Sequence, residues 1–277
     1  MEPSIYRFRV AAFLVIFLPL LQACSYVKLG EVESPIVALS ADELATARAE
    51  AQKLLLILNN TNDDLETFKG VGNIKLWNKK NPSIAERVAW VGAKPASLSI
   101  VVLISGHSGL RMSTDGKHFY YLDVSNENHP FKKVRASDAS FERILSIPIK
   151  SVDIIEFLRG RIPLYDYSSA ALISEQSGNN YVLVLEKKWR GVIEKVYLDM
   201  DKKSVCKVEI FNGKGGLRYR AEFKGMQNIQ GYRVPRLLEI SNDKGNGFSL
   251  KIDRYLANIS VSPSMFVLKP PTSTQTN

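Results

Sequence analysis

From Thr67 onward the chain consists of short β-type runs separated by tight turns, and few folds accommodate that pattern. TFKGVGNIKLW (67–77), AERVAWVG (85–92), SLSIVVLIS (97–105) and LRMSTDGKHFYYLDV (110–124) form a first set. YVLVLEKKW (181–189), IEKVYLDMD (193–201), SVCKVEIFN (204–212), LRYRAEFKGM (217–226), RVPRLLEIS (233–241) and GFSLKIDRYLANI (247–259) form a second. Thr114–Lys117, Asp201–Lys203, Asn212–Gly216 and Asn242–Gly247 supply turns too short for anything but antiparallel neighbours. The pattern therefore predicts an antiparallel meander, mainly β with a minor helical part (α+β).

Face alternation refines this. Val205, Lys207, Glu209 and Phe211 are expected on one face of their strand, and Cys206, Val208 and Ile210 on the other. SLSIVVLIS is apolar on both faces, which a sheet open to water on one side does not require. A curved sheet with helices packed in its concavity does require it, and such folds leave apolar pockets between helices and sheet. Ser40-Ala41-Asp42-Glu43 is a capping box flanked by Leu39 and Leu44 at staple positions. Leu44, Ala47, Ala51, Leu54, Leu55 and Leu58 then form one stripe until Asn59-Asn60, which predicts an amphipathic helix. Between the two strand sets, 138–163 predicts two short helices, about 138–146 and 152–159, with Ser151 capping the second and Gly160 ending it.

The N-terminus carries a separate signal. Arg7 and Arg9 precede an apolar run, Val10–Leu21, too short to span a bilayer core, for which about 20 residues are needed. It has the length of the apolar region of a secretory signal. Leu21-Gln22-Ala23-Cys24 resembles the lipobox of bacterial lipoproteins. The resemblance implies cleavage before Cys24 and its acylation, with residues 1–23 a signal peptide and 24–39 a lipidated tether. Ser25, where an Asp would imply inner-membrane retention, implies anchoring in the outer membrane facing the periplasm.

Formal net charge is +9. The cations are spread along strands and turns, which reads as a solvated surface, with weak orientation on an anionic membrane a secondary effect. No nucleic-acid partner is expected. With Cys24 acylated, Cys206 has no disulfide partner and is expected to pack as a small buried apolar residue. His107, His118 and His129 lack metal-ligand spacing, and no cofactor is implied. Gly106-His107-Ser108-Gly109-Leu110 departs from the nucleophile elbow at its last position and lies between strands.

The order of elements resembles the LolA/LolB family of periplasmic lipoprotein carriers and acceptors over most of residues 40–271. Phe68-Lys69-Gly70-Val71-Gly72 is similar to the family's first strand. Ile147-Pro148-Ile149, with Ile154, Ile155, Phe157, Leu158, Gly160 and Pro163, resembles the central helical segment of LolB. Gly231–Pro235 and Phe266–Pro271 resemble late strands of the superfamily. The resemblance implies an incomplete antiparallel barrel over 40–271 with helices in its mouth, followed by a short disordered tail, 272–277. It implies a non-enzymatic role, with acylated lipoproteins or lipids as ligands and a soluble LolA-like carrier as a partner. The apolar residue that LolB presents on the loop after its third strand is missing from Ser105–Gly109, whose tip is polar.

Candidate cavity residues are Phe68, Ile74, Leu76, Trp90, Leu98, Ile100 and Val102 from the first strands, Ile154, Ile155 and Leu158 from the central helix, and Tyr197, Tyr219 and Phe223 from later strands. Three functions remain open. A carrier or acceptor predicts a cavity for acyl chains. A structural or interaction lipoprotein predicts a filled barrel and a docked partner. A hydrolase predicts a convergent polar cluster in the cleft.

Overall fold

In the computed structural model the described residues are 39–79, 83–126, 128, 130–136, 142, 144–175, 180–202 and 204–271. The signal peptide, Cys24, the tether up to residue 38, His129, residues 138–141 of the first short helix and the tail lie outside them. Thirteen antiparallel strands form one sheet. They are β1 (Thr67–Trp77), β2 (Ile84–Ala93), β3 (Ser97–Ile104), β4 (His107–Asp115), β5 (His118–Asp123), β6 (Phe131–Arg135), β7 (Ser169–Ser174), β8 (Tyr181–Lys187), β9 (Gly191–Leu198), β10 (Val205–Phe211), β11 (Leu217–Ile229), β12 (Tyr232–Ser241) and β13 (Gly247–Ala257). Helix α1 (Ala41–Asn60) precedes them and α2 (Ser151–Leu158) lies between β6 and β7. The expected mainly β, incomplete-barrel architecture is present.

The strand order is two meanders joined at one seam, β6 to β1 and then β13 to β7. β1 pairs with β13, Phe68 opposite Ala257 and Trp77 opposite Gly247. The two edges are therefore β6 and β7, and the sheet does not close between them. The segment carrying α2 runs from one edge to the other through the concave side. Ile147, Ile149, Ile155 and Phe157 are fully buried there.

Helix α1 starts as predicted: the hydroxyl of Ser40 accepts from the Glu43 backbone, and the Glu43 carboxylate accepts from the Ser40 N–H at 2.9 Å. It packs along β7. Its stripe divides between two apolar clusters. Ala51, Leu54 and Leu55 join the main core, while Ala47, Leu44 and Leu39 join a smaller one with Ala171, Val182 and Phe211 on the outer face of the sheet. The helix thus wraps the free edge of β7, which covers backbone groups otherwise open to another strand.

Helix α2 begins one residue earlier than expected. Lys150 is the cap, its N–H donating to the Asp153 carboxylate at 3.4 Å, and Ser151 is already helical. Gly160, at φ +73, ends the segment, and a Cβ there would lie 2.0 Å from the Arg233 carbonyl oxygen. The alternation predicted for β10 holds from Lys207 on but fails before it. A bulge between Val205 and Lys207 turns Val205 toward the main core and Cys206 toward the outer cluster. Cys206 is half-buried rather than buried, and its thiol lies 3.3 Å from the Tyr197 carbonyl oxygen. The Ser105–Gly106 turn has positive φ at both positions between paired Ile104 and His107, as a tight two-residue hairpin requires. Strands on both sides of it leave no elbow geometry.

Candidate functional site: the concave interior and its central helix

Ten of the thirteen predicted cavity residues meet in one buried cluster: Phe68, Ile74, Trp90, Leu98, Val102, Ile154, Ile155, Leu158, Tyr219 and Phe223. Leu76 and Ile100 pack half-buried against it. Tyr197 does not belong. It lies on the opposite face, where its hydroxyl donates to Glu209 at 2.8 Å and Lys207 sits over its ring at 3.5 Å. Strand parity explains the correction: Val196 and Leu198 point inward, so Tyr197 between them points out.

Glycines make room for the largest rings. Gly70 pairs with Trp90 and Gly92 with Phe68. A Cβ at Gly70 would lie 2.3 Å from the Trp90 ring, and one at Gly92 would lie 2.2 Å from the Phe68 ring. Phe68 also stacks on Tyr255, with ring centroids 5.9 Å apart.

Little space remains. The void between α2 and the sheet, lined by Ile74, Trp90, Ile100, Ile154 and Leu158 among others, is about 40 Å³. Ligand pockets commonly occupy about 300–1,000 Å³. A second recess of about 70 Å³ opens between the C-terminal half of α1 and the sheet, lined by Leu58, Ile162, Leu198, Phe223 and Met226. Beside it Leu56 and Ile57 are 65% and 63% exposed. The apolar contents of the concavity are thus the protein's own α2 and its flanks.

Polar contacts hold α2 in place. At its C-terminal end the buried Arg159 donates to the carbonyl oxygens of Leu65 at 2.8 Å, Asp63 at 3.2 Å and Asn62 at 3.3 Å, and pairs with Glu156 at 2.5 Å. Arg161 pairs with the same Glu156 at 2.7 Å. Before its N-terminal end, the Ser146 carbonyl accepts from Asn242 at 2.9 Å and the Pro148 carbonyl from Arg218 at 3.1 Å. Midway, Asp153 accepts from Tyr165 at 2.7 Å and Tyr219 at 2.9 Å. Burial pushes the Asp153 carboxyl above its usual range, and the two phenol bonds offset part of that effect. The tyrosine hydroxyls move up as well, through burial first and the neighbouring carboxylate next.

Glu194 lies in the same interior. One carboxylate oxygen accepts from the Tyr165 N–H at 3.1 Å, and the other has no partner among the described residues. Burial, then the nearby Asp153 charge, pushes its carboxyl well above the usual range. Trp90 Nε1 and the Tyr255 hydroxyl are also buried without an acceptor among the described residues. They flank Gly70 on one cross-strand row, since Gly70 pairs with both residues. Sequence reasoning missed this polar set. An Asp inside VDIIEFL and a Glu between the apolar residues of VIEKV were its only traces. The acidic pair is buried and borders neither inner recess, so the open catalytic cleft that a hydrolase predicts is not formed by these groups.

No family model matches the chain, and no curated protein matches it. Solved structures do match in fold. A DUF1329 family protein from Desulfovibrio piger superposes with TM-score 0.55 at 10% identity, over 80% of this chain and 97% of its own. A LolA superfamily protein from Nitrosomonas europaea gives 0.54 at 15%, over 79% and 97%. An outer membrane lipoprotein-sorting protein domain from Vibrio parahaemolyticus, described as putative, gives 0.54 at 12%, over 78% and 97%. At these identities the likeness is one of fold: the architecture is shared with these solved structures, among them a LolA superfamily protein, and shows no specific likeness to LolB.

Proposed function

We propose that this protein is a non-enzymatic, lipid-anchored lipoprotein of the periplasmic face of the outer membrane, which shields acyl chains of lipoproteins or related amphiphiles. One observation carries the reading. Among the described residues the concave side is filled by α2, its flanking segments and the apolar stripe of α1 rather than by a second layer of sheet, so displacing α2 and its flanks would open much of it. In this closed form Ile154, Ile155 and Leu158 stand in for the ligand's methylenes. The donors Trp90 Nε1 and Tyr255 OH, without an acceptor among the described residues, add support. An unmade buried hydrogen bond costs about 1–3 kcal/mol, and an ester or amide carbonyl at the head of an acyl chain would supply the missing acceptor. Anchorage through Cys24 rests on the leader and lipobox pattern, and exchange with a soluble LolA-like carrier on the fold.

The small void favours a second reading, in which the barrel stays filled and the protein is an interaction lipoprotein. Native mass spectrometry of the chain without its anchor, together with uptake of a fluorescent fatty acid, separates the two. Bound amphiphiles are expected, with faster uptake when Arg159→Ala weakens the hold on α2. A folded Arg159→Ala protein that binds no amphiphile would overturn the carrier reading.

A further inference from the structure

The fold brings Lys150 and Arg218 beside the Lys187–Arg190 hairpin. The β8–β9 turn is Lys188-Trp189-Arg190, with the Arg190 N–H donating to the Lys187 carbonyl at 2.9 Å. Trp189 is 92% exposed, the most open large apolar side chain among the described residues. Its backbone is left-handed, φ +67, a conformation that disfavours a bulky residue. The Lys188 ammonium lies 5.5 Å from the centre of its ring. No internal packing accounts for a tryptophan at this position.

The hairpin borders a cleft of about 400 Å³ whose charged lining is Lys150, Lys187, Arg190 and Arg218 against the single carboxylate of Asp166. Lys187 pairs with Asp166, Arg218 holds the Pro148 carbonyl, and Lys150 lies over the Tyr165 ring at 5.1 Å. The β10–β11 turn, with exposed Lys214 at its tip, forms the far wall through Asn212 and Gly213. Both hairpins end on the same side of the sheet, so their tips can face one plane. An aromatic ring with an apolar body and a polar N–H, ringed by cations, is the chemistry that partitions to the headgroup layer of a bilayer.

We infer that the Lys188-Trp189-Arg190 hairpin and the adjoining basic cleft form a docking surface for an anionic phospholipid bilayer, with Trp189 at headgroup depth and the cleft facing lipid phosphates. Charge complementarity selects this occupant, because Lys and Arg gain affinity near anionic lipid and a neutral surface would not reward them. The surface is independent of an occupied interior and lies on a different hairpin from Ser105–Gly106.

The test uses the full-length chain on vesicles of phosphatidylcholine with or without phosphatidylglycerol, the acyl chains brominated near the headgroup. Subtracting the emission of Trp189→Phe isolates Trp189 from Trp77 and Trp90, and this reports on the hairpin however the N-terminus attaches. The expected result is a blue-shifted, quenched Trp189 on the anionic vesicles only. Reversing both flanking charges, Lys188→Glu with Arg190→Glu, should weaken hairpin insertion at least tenfold. Trp189 emission that stays water-like on anionic vesicles overturns the inference, as does equal quenching on the neutral ones. Inorganic phosphate bound in the cleft while Trp189 remains unquenched would overturn it too, in favour of a free-anion site.

Discussion

Arg159 Nε donates to the carbonyl oxygen of Leu65 at 2.8 Å, which fastens the end of the central helix to the chain entering the first strand. The guanidinium is 3% exposed and serves three carbonyls and one carboxylate. Arg159→Ala should therefore cost on the order of 3 kcal/mol, the scale of breaking a buried, hydrogen-bonded ion pair. Urea denaturation checks this. A loss below about 1 kcal/mol would mean that the helix is held by its apolar face alone.

The buried carboxyls set a pH dependence with a definite sign. Glu194 and Asp153 both titrate above their usual ranges in the folded protein. As pH rises past the unfolded carboxyl range, the unfolded chain releases these protons first, so stability falls until the folded groups ionise as well. Asp115, held down to about 2 by its hydrogen bonds against burial, acts in the opposite sense but only at lower pH. Stability should thus decline as pH rises above the unfolded carboxyl range of about 4, and Glu194→Gln should flatten that slope. Thermal melts above that range read it directly, and an unchanged slope would exclude Glu194 as its source.

The two glycines opposite aromatic rings predict steric failure. Gly70→Ala and Gly92→Ala each place a methyl inside van der Waals contact of Trp90 or Phe68. Overpacking of this kind costs about 1–3 kcal/mol. Combining Gly70→Ala with Trp90→Leu should recover part of the loss, as a double-mutant cycle would show.

Ser40→Ala removes the hydroxyl that accepts from Glu43 and should cost about 1 kcal/mol. The effect should appear first as hydrogen exchange in the opening turn of α1.

Most of the sheet was legible because its interior strands pair on both sides and carry alternating or doubly apolar faces. The two strands without a sequence signal, β6 (FKKVR) and β7 (SAALIS), are the two edges. β6 is charged and largely exposed and β7 is short and alanine-rich, features that blunt an edge and also erase the pattern by which a strand is recognised. Twelve of the thirteen residues expected to line the interior do pack on the concave side, and Tyr197 was misplaced for want of one inward-outward count. Arg159, Asp153 and Glu194 were not legible, since their partners come from loops and strands far along the chain. The basic cleft was hidden for the same reason: Lys150, Arg190 and Arg218 are distant in sequence and meet only where the segment before α2 crosses the second meander.

That joint has a kinetic meaning. Every hairpin within either meander can zip from its own turn, but Phe68 and Ala257 must find each other across nearly the whole folded chain. Contacts so distant in sequence form slowly, after the loop-closure entropy has been overcome. Two half-sheets, each with an unpaired strand at the future seam, should precede the native protein. Until β1 meets β13, both strands are open to pairing with another chain, so the hazard of misassembly peaks at the last step of folding.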